Sequence, residues 1–554
     1  MNLSPERPVS ALELPERPSR ARTSRRALVG AALLLWGGVL WLYAPARRFD
    51  YVDFDDGVYV SGNAHVLTGL SISNALWAVT WNEGGNWHPV TWWSLMLDGT
   101  LFGARPAVFH MVNVVFHGLN AVLFFGVLVV LTGRWWPALA AAALFAVHPL
   151  RVESVAWITE RKDVLASFFL LVSLLAYLRY VRRRRARWLG SSVALYILSL
   201  MSKAVAPAYP LLLLALDFGP LDRWASAPWK ARLRMVVEKM AWWIPAAGLG
   251  GLVAFLQWRA GTVASLADTP WSSRFTLLGL SACRYVLQFF WPVNLSFFYP
   301  YRDPGGWTLP GVLALLGVAG VTFAAWRSRR TMPWFFSGWA WYLLTLLPVS
   351  GLLRLGGVAF ADHYTYLPHM GLSFILAWLF AVATRRIPAA GRVMLAAGIL
   401  LVLASGSRRQ MQFWQNNETL FQRAVQVDPA NDLALTNLGA LRAQQGRIAE
   451  ALEFFERAMA AGSRDVLLYF NAGNAYMTAG DEPRAEKAFT TALALDPLFV
   501  PAGRNLGLLY ARQGRWEEAL YCLQTACRLN PEDAGLFRLL ETVQQAAGQP
   551  SGAP

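Results

Sequence analysis

Asn437-Leu438-Gly439, Asn471-Ala472-Gly473 and Asn505-Leu506-Gly507 are one phrase written three times, each copy 34 residues after the last. Seven residues past each closing glycine stands another, Gly446, Gly480 and Gly514, and a small residue follows at Ala451, Ala485 and Ala519. Asp428-Pro429, Asp496-Pro497 and Asn530-Pro531 close units. Glycine and Asx-Pro punctuation at this interval predicts a pair of helices repeated along a solenoid. A single pair cannot bury its apolar face. About three pairs, led by a half-repeat from Thr419 to Val427, are therefore expected to stack into a short superhelix with a concave groove.

A 34-residue helical pair is the tetratricopeptide repeat, and upstream of these repeats the character of the chain changes. Of its 554 residues 55% are hydrophobic and only 15% charged, the balance of a membrane protein, and 26 tryptophans suit the membrane interfaces. The formal charge of +16 would suggest a nucleic-acid partner in a soluble protein, but the arginines lie in short loops between apolar runs. They read as topology signals, with no nucleic acid implied. Cys283, Cys522 and Cys527 offer neither a disulfide framework nor a metal spacing and are expected as buried thiols.

Residues 1–26, with six arginines and four prolines, read as a disordered basic cytoplasmic tail. A polytopic body over 27–406 and repeats over 407–548 follow. Eleven candidate spans lie near 27–45, 108–131, 135–150, 164–181, 188–202, 204–218, 240–257, 307–326, 334–352, 366–384 and 389–406. The first is read as a retained span, being long for a signal core and followed by many more. With the tail inside, the basic clusters 179–187, 223–239, 327–330 and 385–392 all fall inside too, as the positive-inside rule requires. An odd count puts the repeats outside, in a bacterial periplasm or a reticular lumen; the arginine-rich, lysine-poor composition favours the bacterium. The stretch 272–298 reads as an interfacial or re-entrant helix pair.

Candidate chemistry clusters on the outer side. The long first loop, 46–107, carries Asp50, Asp53, Asp55, Asp56, Glu83 and Asp98 among many aromatics, and Asp55-Asp56 sits just beyond the first span. A carboxylate there suits a proton acceptor or a divalent cation, and equally a helix cap. His88, in Asn86-Trp87-His88-Pro89, is a candidate acid or base, with a structural histidine the plainer reading. His148, Arg151 and Glu153 lead through Trp157 to Glu160-Arg161-Lys162-Asp163, a balanced charge run in which Arg161 or Lys162 suits a phosphate; an interfacial anchor is the alternative. Lys203 interrupts apolar sequence, and Asp362, His363 and Tyr364 form a polar group between spans. His110, Asn113, His117 and Asn120 share one helical face, the pattern of interhelical hydrogen bonding. No spacing suggests a metal site.

Asp55-Asp56, Asn86-Trp87-His88-Pro89, His148-Pro149 with Glu153, Arg161 with Asp163, Met201-Ser202-Lys203, and Asp362 with Tyr364 to Pro368, followed by the repeats, together resemble the transmembrane-and-tetratricopeptide-repeat O-mannosyltransferases and their bacterial relatives. The resemblance covers about residues 48–545 and implies an all-α, polytopic GT-C-like bundle of about eleven spans followed by a tetratricopeptide solenoid. It implies a polyprenyl-phosphate sugar as donor, Asp55 and Asp56 as the catalytic base, and Arg161, Lys162, Lys203 and Arg151 as phosphate ligands. His88, His148, Glu153, Asp163, Asp362, His363 and Tyr364 would support them. The chain departs from the pattern at His363, where many relatives have arginine, at Arg151, where many have histidine, and at Ala204, where bacterial relatives often have proline.

The chemistry agrees with that implication. A serine or threonine hydroxyl attacking an anomeric carbon must lose a proton, and the lipid phosphate that leaves needs positive charge more than a strong acid. A cation bridging Asp55 and the phosphate is compatible with, but not demanded by, one acidic pair. The groove would present an acceptor polypeptide, with Asn437, Asn471 and Asn505 either binding it or satisfying the solenoid's own backbone. Two other readings remain: a surface-glycan polymerase or ligase, and a non-catalytic membrane-anchored scaffold.

Overall fold

The computed structural model describes residues 24–81, 85–204, 206–224, 227–263, 268–352 and 358–548. The chain forms two compact units, divided between Asn417 and Glu418, somewhat later than the expected boundary at 407. The last apolar helix, Ala389–Met411, runs straight through that point. Most of the expected basic tail, and Glu83, lie outside the described residues. Arg25 and Arg26 are not tail but the first turn of a helix that Ser24 caps through its hydroxyl.

The first unit is a helical bundle; its only described strands are Tyr299–Pro300 and Val358–Phe360, paired antiparallel. Its axis is Pro106–Thr132, 27 residues opened by proline at its first position and closed at Gly133 in the left-handed region (φ 71°). Arg25–Tyr43, Trp135–Val147 and Arg161–Arg183 pack around it. The expected polar face appears: His110, Asn113, His117 and Asn120 are buried and bonded to other segments, for example Asn113 Nδ2 to the Trp157 carbonyl at 2.9 Å and His117 Nδ1 to the Tyr366 hydroxyl at 2.8 Å.

Among the described residues six helices are long and apolar enough to cross a membrane, or seven if the bent pair Trp135–Val147 and Pro149–Ala156 is one span. Their outer faces expose Leu34, Trp41, Leu316, Phe323, Met394 and Val402, as hydrocarbon surroundings allow. The expectation of eleven is not reached. Four of the expected spans form Ala186–Ser202, Tyr209–Phe218, Pro333–Leu346 and Pro368–Ala383, helices of 10 to 17 residues that fall short of a full crossing. The stretch 272–298 is also corrected: it begins with one 20-residue helix, Trp271–Phe290, not a helix pair.

Pro149 sets the local geometry of the site. It ends the preceding helix, starts a 3-10 turn, and bends the chain by 62° into Val152–Ala156. The first loop is folded rather than extended, with a π-helical turn at Gly57–Ser61 and helices at Ile72–Thr80 and Pro89–Phe102 around stacked Tyr59 and Trp92. The basic cluster after Arg223 carries more than topology. Lys239 is fully buried, 2.9 Å from the equally buried Asp217, and Arg223 bridges Asp217 and Glu238.

The second unit is led by the helix Asn417–Val427, where the half-repeat is expected, followed by the helix pairs Asp432–Gln444 with Ile448–Ala460, Val466–Ala479 with Glu482–Leu495, and Val500–Arg512 with Trp516–Leu529, and closed by Ala534–Gly548. The repeated phrase has a steric cause: a Cβ on Gly473 would strike the ring of Phe489 in the paired helix, so the helices can cross closely only over glycine. Ala451, Ala485 and Ala519 are fully buried at the same seam. Cys527 is buried, but Cys283 and Cys522 are only half-buried.

Candidate active site

Asp55 and Asp56 are adjacent in sequence and opposite in circumstance. The Asp56 carboxylate is buried and accepts three hydrogen bonds, from the Val52 amide at 3.1 Å and from the Thr159 amide and hydroxyl at 3.1 and 2.6 Å. Burial outweighs those bonds and raises its pKa to about 6. The Asp55 carboxylate makes no hydrogen bond or ion pair among the described residues; burial raises its pKa, and Lys162 opposes that shift. Asp56 therefore fastens the loop to the turn before Arg161, and the expectation of an equal pair is corrected to one open carboxylate.

Around Asp55 the charge run folds into a cluster. Glu160 accepts from Lys203 Nζ at 2.8 Å and pairs with Lys162 at 3.2 Å, while Lys203 also reaches Asp163 at 2.7 Å. The Lys162 ammonium lies over the rings of Tyr59 and Trp157, 5.2 and 5.7 Å from their centroids. His363 Nδ1 is 3.0 Å from Glu153 Oε1, and its backbone amide donates to Oε2 at 2.9 Å. Burial pushes the His363 imidazole down to about 3 and holds the Glu153 carboxyl well above the usual carboxylate range, so this contact is a hydrogen bond and not an ion pair.

A small, partly open pocket lies against this cluster. Asp163, Lys203, His363 and Tyr364 form its polar wall, and Val349 and Leu367 are among its apolar lining. Among the described residues no group of three or more His, Cys, Asp or Glu side chains could hold a metal ion.

Several expected ligands stand elsewhere. Arg161 is fully buried and engaged by Asp98 at 2.8 Å, Ser94 at 2.8 Å, the Phe109 carbonyl at 3.0 Å and Asn113. Arg151, also fully buried, donates to Thr365 at 2.5 Å and approaches His369, with its Nε and Nη1 unpartnered. Both guanidinium groups are enclosed, which corrects their assignment to the donor phosphate. His148 is pinned to the Phe289 carbonyl at 2.9 Å. Asp362 accepts from the Tyr299 hydroxyl at 3.0 Å. His88 is buried beside Tyr59, where desolvation lowers its pKa to about 3, and its Nδ1 has no hydrogen-bond partner among the described residues.

In the second unit Asn437 donates to the Leu433 carbonyl of its own helix and Asn505 to Asn474 of the preceding repeat. The Asn471 side chain makes no hydrogen bond among the described residues. A continuous ladder of three open asparagines is therefore absent.

Sequence reasoning missed the role of Glu160, although it stands inside the quoted charge run, and missed the aromatic wall. Phe54, next to Asp55, packs on Trp157 and Phe297 at 5.4 and 5.1 Å. Nothing in the sequence marked Phe297 as its neighbour.

Fold and site together define a polytopic helical membrane protein with an enclosed ionic site and a tetratricopeptide-repeat unit. A tetratricopeptide-repeat family profile matches residues 409–466 and 470–534. The chain is a homologue of proteins named as protein O-mannosyl-transferases. It is 26% identical over 539 residues to Protein O-mannosyl-transferase Tmtc1 of Drosophila melanogaster, covering 78% of this chain and 62% of that protein. It is 21% identical over 542 residues to human Protein O-mannosyl-transferase TMTC3, covering 86% and 58%. Identity rises to 33% over 182 residues of Drosophila Tmtc2, covering 30% and 19%. The chain thus spans about three fifths of the length of the first two relatives.

Proposed function

We propose that this chain transfers a hexose, mannose in the first instance, from a polyprenyl-phosphate donor to serine or threonine hydroxyls of proteins on the extracytoplasmic face. The observation that carries the reading is the Asp55 carboxylate, unbonded among the described residues and within electrostatic reach of Lys162 and Lys203, the second of which lines a pocket with His363 and Leu367. The names of the relatives support the reaction class.

The donor phosphate takes the two ammonium groups and its prenyl chain follows the apolar lining. Asp55 accepts the hydroxyl proton as the oxygen attacks the anomeric carbon, a contribution of about 10²- to 10⁴-fold. Lys162 and Lys203 stabilise the charge that develops on the departing phosphate. A single displacement inverts the anomeric centre. In this reading the repeats stand on the acceptor side, where the Asn471 side chain, without a hydrogen bond among the described residues, meets a peptide.

The test is transfer of radiolabelled mannose from polyprenyl-phosphate-mannose to a Ser/Thr-rich peptide by the full chain in nanodiscs. Peptide-dependent transfer that is lost in Asp55→Asn is the expected result. A folded wild type inactive with this donor and with other sugar and pyrophosphate donors would leave the scaffold reading in its place.

A further inference from the structure

His363 has the construction of an oriented proton carrier. Glu153 grips it twice, Oε1 on the ring Nδ1 at 3.0 Å and Oε2 on the backbone amide at 2.9 Å. That grip fixes both the tautomer and the ring plane, as the orienting carboxylate of a catalytic histidine does. The other nitrogen, Nε2, is left facing Glu160 Oε1 at 3.8 Å, too far for a hydrogen bond. His363 also lines the cavity next to Lys203 and keeps 13% of its side chain exposed. The charged groups that face the ring are Glu153 from the short helix after the bend, Glu160 from the following turn, Lys162 from the helix Arg161–Arg183, and Lys203 from the end of Ala186–Ser202. The Trp157 ring covers one side, and Tyr364 is its neighbour on its own segment.

We infer that His363, positioned by Glu153, is the proton donor to the departing lipid phosphate. The inference rests on the phosphate-sugar reading above. Entry of the donor brings an anion against Nε2, which takes a proton from solvent, with Glu153 as the counter-charge of the imidazolium. In the transfer the bond from the acceptor oxygen to the anomeric carbon forms and the bond from that carbon to the phosphate oxygen breaks. The hydroxyl proton goes to Asp55, the Nε2 proton goes to the phosphate oxygen, and Asp55 later returns its proton to solvent. One proton enters and one leaves. His363 is a catalytic residue in this scheme and Glu153 a positioning residue.

The experiment measures kcat and KM for polyprenyl-phosphate-mannose with a Ser/Thr peptide, from about pH 5 to about pH 9, for the full chain in nanodiscs. His363→Gln is expected to lower kcat by about 10²- to 10⁴-fold and to lose the fall in activity on the alkaline side. His363→Arg restores the positive charge but releases no proton in this range, so KM returns towards the wild-type value while kcat stays low. Glu153→Gln moves the alkaline fall to lower pH, which a purely structural role would not do. Thermal unfolding and size exclusion check the fold, and if His363→Gln does not fold, the other two variants carry the comparison. Wild-type kcat and pH profile in His363→Gln, or full recovery of kcat in His363→Arg, would overturn the inference alone. A folded wild type that transfers nothing from this donor would overturn the donor reading and the inference with it.

Discussion

Replacing Asp55 and Asp56 one at a time should separate a chemical carboxylate from a structural one. Asp56→Ala strips the partner from three buried donors, the amides of Val52 and Thr159 and the Thr159 hydroxyl. Each orphaned donor costs about 1–3 kcal/mol. Against that stands relief from holding a carboxylate whose pKa is raised from 3.8 to about 6, worth about 3 kcal/mol at neutral pH. The net loss centres near 3 kcal/mol. A kilocalorie moves Tm by about 2–4 °C in domains of 150–250 residues and by less in larger bodies, so a fall of about 3–6 °C is expected. Asp55→Ala removes a carboxylate with no bonds among the described residues and a pKa already raised by burial, so Tm should hold or rise. The assay is thermal unfolding in nanodiscs at a fixed scan rate, beside the transfer assay. Asp55→Ala should be folded and about 10²- to 10⁴-fold slower; Asp56→Ala should be less stable, with activity following its folded fraction. An Asp55 variant that unfolds as early as the Asp56 variant, or one that keeps full activity, would refute the division of roles.

Three further outcomes follow from other contacts. Arg161→Met leaves Asp98 buried without its cation, a loss of about 3–5 kcal/mol; the yield of folded protein should drop with no selective rise in donor KM, as detergent-solubilised recovery and kinetics would show. Gly473→Ala drives a methyl into the Phe489 ring at about 1–3 kcal/mol, and hydrogen exchange should report loosening of the repeat helices only. His363 is held down to about 3 from an ordinary 6.5, so its contribution to stability is complete above about pH 6.5 and is lost as pH falls towards 3. The Tm of His363→Gln should therefore decline less steeply than that of the wild type through this window.

The parts of the fold that the sequence discloses are those with a local cause. The 34-residue phrase is legible because each glycine answers to one large side chain on the partner helix, Phe455, Phe489 or Leu523. The face His110 to Asn120 is legible because helical spacing alone aligns it. The span count is not, since an apolar run such as 334–352 looks the same whether its helix crosses lipid or, as Pro333–Leu346 does, packs against Pro368–Ala383. Arg161 resembles a ligand in sequence because its counter-ion, Asp98, lies far upstream. Asp55 and Asp56 occupy one irregular turn, where no periodicity tells which carboxylate meets Thr159 and which is left without a hydrogen bond among the described residues.

Glu160 bears on what can reach Lys162 and Lys203. Its carboxylate bridges Lys162 and Lys203 and so already occupies the seat of an incoming anion as a tethered competitor. A tether of a few ångströms gives such a group a very high effective concentration. A headgroup without negative charge has nothing to offer the two ammonium groups in exchange and is turned away at the threshold. On the proposed phosphate-sugar donor, the same carboxylate would reclaim both lysines after transfer and so displace the lipid phosphate from within the chain itself.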